Sequence, residues 1–186
     1  QRSILNHCDE AGVTAMYLSA GMDEGDIIEI RKTLIQPLET SEELMARLAQ
    51  IAAPLCADTV RAIETGTAVR IPQDSARATY APMLSKEESP IDWNQPARFI
   101  VDHVRGLVPW PVATAELGGT EFKIYRVEYT DQKTDKAPGA LVALTKKGLL
   151  VACKDGDTVL ICELQAKGGK RMPAPDYFRG HPITIK

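Results

Sequence analysis

Paired metal-binding cysteines are missing from this sequence. Its four cysteines, Cys8, Cys56, Cys153 and Cys162, share no Cys-x-x-Cys spacing, and none has a histidine at zinc-finger distance. A structural zinc site is thereby excluded, and four reduced thiols in cores or strands are expected, as in a cytosolic protein. The three histidines are scattered. His103 falls within a helical pattern, whereas His7 and His181 lie in polar stretches, so structural or surface roles are expected for all three. No run approaches the roughly 18 to 20 apolar residues of a membrane span. Gln1-Arg2-Ser3-Ile4 lacks a start methionine, a basic n-region and an apolar h-region, so no signal peptide is read here. A first residue other than Met suggests a piece of something longer. Internal repeats and low-complexity tracts are absent too. What remains is an ordinary globular composition, 44% hydrophobic and 25% charged over 186 residues, enough for one medium domain or two small ones.

Charge is unevenly spread. Residues 1–90 hold 8 Lys and Arg against 14 Asp and Glu, and residues 91–186 hold 14 against 11. The two parts therefore carry −6 and +3. A modestly basic second half permits a nucleic-acid partner without establishing one.

Gly12–Leu18 and Asp26–Leu34 read as strands, separated by the turn residues Gly21-Met22-Asp23-Glu24-Gly25-Asp26. Thr40 and Glu43 then form a capping-box pattern, and Leu44, Leu48, Ile51 and Leu55 follow helical spacing up to a stop at Gly66. Pro54 interrupts that pattern and predicts a kink or two shorter helices. Residues 67–90 have no clear periodicity and read as a linker crossing a surface. Asn94 is expected to cap a short helix with Pro96 in its first turn and Ala97, Ile100, Val101 and Val104 as its buried stripe. Beyond Pro109-Trp110-Pro111 the chain is β-rich. Strands are expected at Ala113–Leu117, Glu121–Thr130, Ala140–Leu144, Leu149–Cys153 and Thr158–Leu164, with glycine-containing turns between them. Such a series suggests a small barrel, and one helical turn is expected before Gly180. Trp93 and Trp110 are expected to pack where a linker or helix docks.

Several motifs resemble a known family. Ile91-Asp92-Trp93-Asn94, Arg105-Gly106 and Pro109-Trp110-Pro111 resemble the domain junction of folate-dependent formyltransferases. Ala78-Thr79-Tyr80-Ala81 and Leu84-Ser85-Lys86-Glu87 are similar to the linker of that family. Glu163-Leu164-Gln165, Gly168-Gly169-Lys170-Arg171-Met172 and Phe178-Arg179-Gly180-His181 resemble the C-terminal signature of its methionyl-tRNA branch. The resemblance runs from Gln1 to about Pro182. It implies an α/β plus β fold, in which residues 1–66 are the C-terminal part of a Rossmann-like catalytic domain. Residues 67–90 would then be a linker and 91–186 an OB-like small β-barrel domain that binds tRNA. It also implies a monomer with no membrane association, cytoplasmic, using 10-formyltetrahydrofolate as formyl donor and initiator Met-tRNA as acceptor. The family's Asn-x-His pair and folate loop are expected upstream of Gln1, so no folate-binding residue is assigned here and this chain alone is expected to be inactive.

The same resemblance places the family's essential aspartate on Asp23. Attack of the methionyl amine on the formyl carbon creates an oxyanion and an ammonium, and a carboxylate helps relay the proton and keeps a partner histidine charged. From the residues alone, Gly-x-Asp-x-Gly-Asp is a tight turn, and Asp23 with Asp26 lacks the oxygen donors of a hard-metal site. Candidate tRNA-binding cations are Lys86, Lys123, Arg126, Lys146, Lys147, Lys154, Lys167, Lys170 and Arg171. Lys146-Lys147 and Lys167–Arg171 are favoured because clustered cations act together on a phosphate chain. Solvated lysines on a barrel are the plainer reading. The alternatives are a related formyltransferase acting on a sugar nucleotide or hydrolysing formyl-folate, and a non-catalytic RNA-binding module.

Overall fold

A computed structural model describes residues 1–185. Its elements run α1 (Arg2–Leu5), β1 (Glu10–Met16), β2 (Ile27–Leu34), α2 (Ser41–Glu64), α3 (Ala97–Gly106), β3 (Ala113–Leu117), β4 (Thr120–Tyr129), β5 (Leu141–Leu144), β6 (Leu149–Ala152), β7 (Thr158–Ala166), β8 (Met172–Pro173) and α4 (Ala174–Gly180). They fall into two compact units. One comprises residues 1–7, 37–41 and 83 onward, and the other Cys8–Gln36 with Glu42–Pro82. Among the described residues no helix is long and apolar enough to cross a membrane.

The smaller unit pairs β1 with β2 antiparallel, from Glu10 opposite Leu34 to Met16 opposite Ile27. Leu44, Leu48, Ile51 and Leu55 of α2 form its less exposed stripe, as their 3.6-residue period predicts. Arg31 on β2 joins α2 through Asp58 at 2.7 Å, and this hydrogen bond holds the Asp58 carboxyl below its ordinary range. Arg47 of α2 returns a bond to the Leu34 carbonyl at 2.7 Å. The expected break at Pro54 does not occur, since α2 runs through it for 24 residues. Gln50 and Pro54 are both exposed, so the carbonyl that proline leaves without its usual donor faces water. Gly66, at φ 68°, lies just beyond the helix.

In the larger unit six strands form one antiparallel sheet in the order β3-β4-β7-β6-β5, with β8 added on β7. The expected closed OB-like barrel is not what the pairings give: among the described residues none joins β3 to β5. The free edge of β3 is occupied by the preceding segment instead. Thr114 donates its amide to the Ser89 carbonyl at 2.7 Å and accepts from the Ile91 amide at 2.9 Å.

Alternation along β4 buries Phe122, Ile124 and Val127 while Lys123 and Arg126 stay exposed. Beneath the sheet, Ile100, Val101 and Val104 of α3 and Phe178 of α4 complete the core with Leu149, Val151, Ile161 and Leu164. Each of these apolar side chains contributes on the order of 1.5–3 kcal/mol by leaving water. The turn before α3 is organised by Asp92 and not by Asn94, because the Asn94 amide donates to Asp92 Oδ1 at 2.9 Å. Pro96 then occupies the N-cap position. Trp93 packs against the core as expected, but Trp110 is half exposed. Cys153 is buried and Cys162 half-buried, whereas Cys8 and Cys56 are exposed, contrary to expectation. Cys8 precedes β1 and Cys56 lies on the outer side of α2, so neither meets a core.

Candidate functional site

Asp23 stands in the loop between β1 and β2. It is exposed and takes φ 57°, a left-handed conformation that aspartate tolerates better than bulkier residues. Its carboxylate has no hydrogen-bond partner among the described residues. Leu18 and Met22, both strongly exposed, precede it in the same loop. At the neck of the loop the Tyr17 amide donates to the Asp26 carbonyl at 2.9 Å. Gly25 is required just above, because a Cβ there would lie 1.6 Å from the Tyr17 carbonyl oxygen. A bare carboxylate of this kind can accept a proton or a hydrogen bond from an incoming ammonium. No group of three or more metal-ligating side chains exists among the described residues.

The loop is also held from a distance. Ile71 exchanges two backbone hydrogen bonds with Ile27, at 2.8 and 3.0 Å. Arg70 reaches Asp26 at 3.2 Å and lies 3.6 Å over the Tyr17 ring. Gln73 donates through Nε2 to the carbonyls of both Asp23 and Gly25, each at 2.8 Å. Residues 70–73 read as linker in the sequence, and their role in the loop has no local signal there. Asp26, read as a turn residue, is paired with Arg70.

In the other unit the structure brings some predicted cations together and leaves others apart. Lys123 on β4 stands opposite Thr114 on β3 and Gln165 on β7. With Glu121, Lys167 and Gly168 these residues line a groove of about 390 Å³. Tyr125 donates to Gln165 Oε1 at 2.8 Å, and Gln165 Nε2 donates to the Gly169 carbonyl at 2.8 Å. Arg171 sits 4.5 Å over the Tyr125 ring and pairs with Glu163 at 2.7 Å. The 167–171 turn is thereby tied to the outer face of the sheet. Sequence reasoning misses Tyr125 and Gln165, although their alternation with buried Ile124 and Leu164 marks them as outward-facing.

The remaining candidates are dispersed. Lys146 and Lys147 are exposed at the β5–β6 turn, where Thr145 Oγ1 accepts from the amides of Lys147 and Gly148. Arg126 is paired with Glu128 at 2.9 Å. Lys86 shares a short 3₁₀ turn with Glu87 and Glu88, an acidic setting that weakens any phosphate contact. Lys154 occupies another such turn.

The histidines are structural. His7 Nδ1 lies 2.7 Å from Asp102, a carboxylate that is 1% exposed and also bound by Arg105 at 2.7 Å. The His7 ring rests 3.9 Å from that of Phe99. His181 stacks on Tyr177 at 4.4 Å. His103 is half-buried, and burial pushes its pKa below the ordinary value.

Two family models match successive stretches of the chain. A family model described as formyl transferase, C-terminal domain, matches residues 83–182, and one described as formyl transferase matches residues 1–60. The chain is 42% identical over 184 residues to the methionyl-tRNA formyltransferase of Solibacter usitatus, covering 99% of this chain and 58% of that one. It is 38% identical over 182 residues to that of Trichlorobacter lovleyi, covering 98% and 57%. It thus spans little more than half the length of these curated relatives. Among solved structures, HypX from Aquifex aeolicus in complex with tetrahydrofolic acid shares the fold with a TM-score of 0.74 at 18% identity, covering 100% of this chain and 33% of that one. With the C-terminal model matching more than half of its residues, the chain belongs to the formyl transferase family.

Proposed function

We propose that this chain is part of a methionyl-tRNA formyltransferase, which transfers a formyl group from 10-formyltetrahydrofolate to the α-amino group of initiator Met-tRNA. Continuity carries this reading: the two relatives named above match over 182 and 184 residues, from the Asp23 loop through the cationic sheet. Residues 1–66 are assigned to the catalytic domain, 67–90 to the linker and 91–186 to a tRNA-binding domain. The enzyme acts as a monomer in the cytoplasm, where initiation takes place.

In this reading Asp23 is the catalytic carboxylate. When the methionyl amine attacks the formyl carbon, it becomes an ammonium and must lose a proton. Asp23 accepts that proton directly or through water, and its negative charge favours the ammonium as it forms. The bare carboxylate and the exposed Leu18 and Met22 of the same loop suit a substrate with both apolar and cationic parts. The donor supplies the formyl carbon: as the tetrahedral adduct collapses, the bond from that carbon to N10 of the folate breaks and N10 takes up the proton lost by the amine, so that tetrahydrofolate leaves. The oxyanion is held by groups from the part of the family's catalytic domain that this chain does not span. Lys123, Lys167, Lys170 and Arg171 receive the phosphates of the tRNA on the outer face of the sheet.

The test is transfer by the enzyme that carries this chain together with the rest of that domain. Formylation of initiator Met-tRNA is expected. Transfer to an amino-sugar nucleotide instead would move the protein to another branch of the family. Tight tRNA binding without transfer would leave an RNA-binding module.

A further inference from the structure

We propose that residues 70–73 act as a strap that positions Asp23, with Gln73 as the positioning residue. This inference rests on the reading of Asp23 as the catalytic carboxylate. The loop from Tyr17 to Asp26 has few ties of its own. Its neck is closed by the Tyr17 amide on the Asp26 carbonyl, and Ser19 Oγ donates to the Gly21 carbonyl at 3.2 Å. Near its apex the carbonyls of residues 23 and 25 both accept from one group, the Gln73 amide.

Geometry fixes how that amide is oriented. Its two close acceptors are carbonyl oxygens, with Met16 Sδ a longer contact at 3.8 Å, so the nitrogen faces them and its two hydrogens can serve one carbonyl each. Clamping the carbonyls on either side of Glu24 limits rotation about the Asp23 backbone, which already sits at φ 57°. The base of the strap is anchored independently by the Ile27–Ile71 bridge and by Arg70, which engages Asp26 and the Tyr17 ring. Gln73 is therefore held in register while its side chain reaches over the loop. Displacement of a reacting group by about 1 Å costs about 10² in rate, so a single pair of hydrogen bonds at this point can govern the chemical step. Gln73 is itself exposed, so the carbonyls it releases can turn to water and the fold tolerates its replacement.

The experiment compares Gln73→Met, which keeps length and loses both donors, and Gln73→Glu, which sets a carboxylate against two carbonyls. Each is made alone and combined with Asp23→Asn in the enzyme carrying the complete catalytic domain. Single-turnover rates are read with saturating Met-tRNA and formyl donor, alongside KM for the tRNA and melting temperature. The expected result is a fall in rate of about 10- to 100-fold for Gln73→Met, and a larger one for Gln73→Glu. KM and melting temperature should hold, and Gln73→Met should change the rate less than twofold once Asp23 is already Asn. A normal rate in Gln73→Met, with Asp23→Asn impaired, overturns the strap while leaving Asp23 catalytic. Additive losses also overturn it, since they give Gln73 a role separate from Asp23. A normal rate in Asp23→Asn removes the catalytic reading, and the strap with it.

Discussion

In one unit the candidate cations stand on a six-stranded sheet whose other face is sealed by Ile124, Leu149, Ile161 and Leu164, all 0% exposed. In the other, the candidate catalytic group stands at the apex of a loop held by side chain-to-backbone hydrogen bonds that solvent can reach. The first arrangement fixes positions through packing, where any displacement must move a core. The second fixes a position through a few hydrogen bonds, each weak alone and open to water. Phosphate binding needs charge in roughly the right place and suits the sheet. Proton transfer needs one atom in a defined place but also room for a substrate, and a strapped loop offers both.

Replacing the proposed catalytic carboxylate should have the largest effect. Asp23→Asn keeps the turn residue and removes the charge, so the chemical rate should fall by about 10² to 10⁴. Affinity for tRNA, measured by filter binding, should stay within twofold. A loss of affinity matching the loss of rate would break the comparison, because the loop would then be a binding element.

A core substitution probes the opposite property. Ile124→Ala removes a side chain that is 0% exposed beneath the sheet, and should cost about 2–5 kcal/mol of stability. Urea unfolding followed by circular dichroism measures this directly. Met-tRNA affinity per folded molecule should remain, since Ile124 faces away from the groove. A stable variant with weakened affinity would show that the cationic face depends on finer packing than proposed.

Much of this contrast is legible in the sequence. The period of two in β4 and β7 separates Ile124 and Leu164 from Lys123 and Gln165, and the bounds of β3 agree with the expected Ala113–Leu117. Local patterns of this kind are set by neighbours along the chain. The strap is not legible because Gln73 lies 50 residues from Asp23, and no motif announces a side chain whose close partners are backbone carbonyls. The covering of the sheet's β3 edge is equally hidden, since Thr114 takes its partners from Ser89 and Ile91, more than twenty positions earlier. Asp23 itself is distinguished from an ordinary turn residue by family resemblance; the fold adds that its carboxylate is bare.

Neutralising the groove should have a smaller effect, spread over many phosphates. Lys123→Ala with Lys167→Ala should lower affinity for initiator and elongator Met-tRNA alike. The slope of log affinity against log salt should flatten by about 0.7 to 0.9 for each phosphate that is no longer neutralised. Lys146→Ala with Lys147→Ala, at a separate turn, serves as the comparison. An equal change in slope from that pair would spread the binding surface beyond the groove. A weakening confined to the initiator would give the sheet a part in choosing the substrate.

The smallest expected effect concerns how firmly α3 is set beneath the sheet, read through the protonation of His103. Burial lowers its pKa from the ordinary 6.5, and the Ser89 carbonyl at 3.4 Å and the nearby Glu88 oppose that shift only in part. In the unfolded chain the imidazole titrates near its ordinary value. Between that value and the lower folded one, the unfolded chain binds more protons, so stability must fall as the pH drops through this window. Above it, both states hold a neutral ring and the contribution is complete. The ring lines a small cavity with His7, Asp92 and Gln95, and His7 remains paired with Asp102 in either variant, so the comparison is made by difference. His103→Gln keeps a donor for the Ser89 carbonyl and removes the titration. Its stability should decline less steeply than that of the parent from about pH 7 to pH 5, with the two curves parallel above about pH 7. The difference cannot exceed one proton, or about 1.4 kcal/mol per pH unit. Curves that stay parallel throughout would mean that water reaches the ring in the folded state, and that α3 sits more loosely on the sheet than its buried Ile100, Val101 and Val104 indicate.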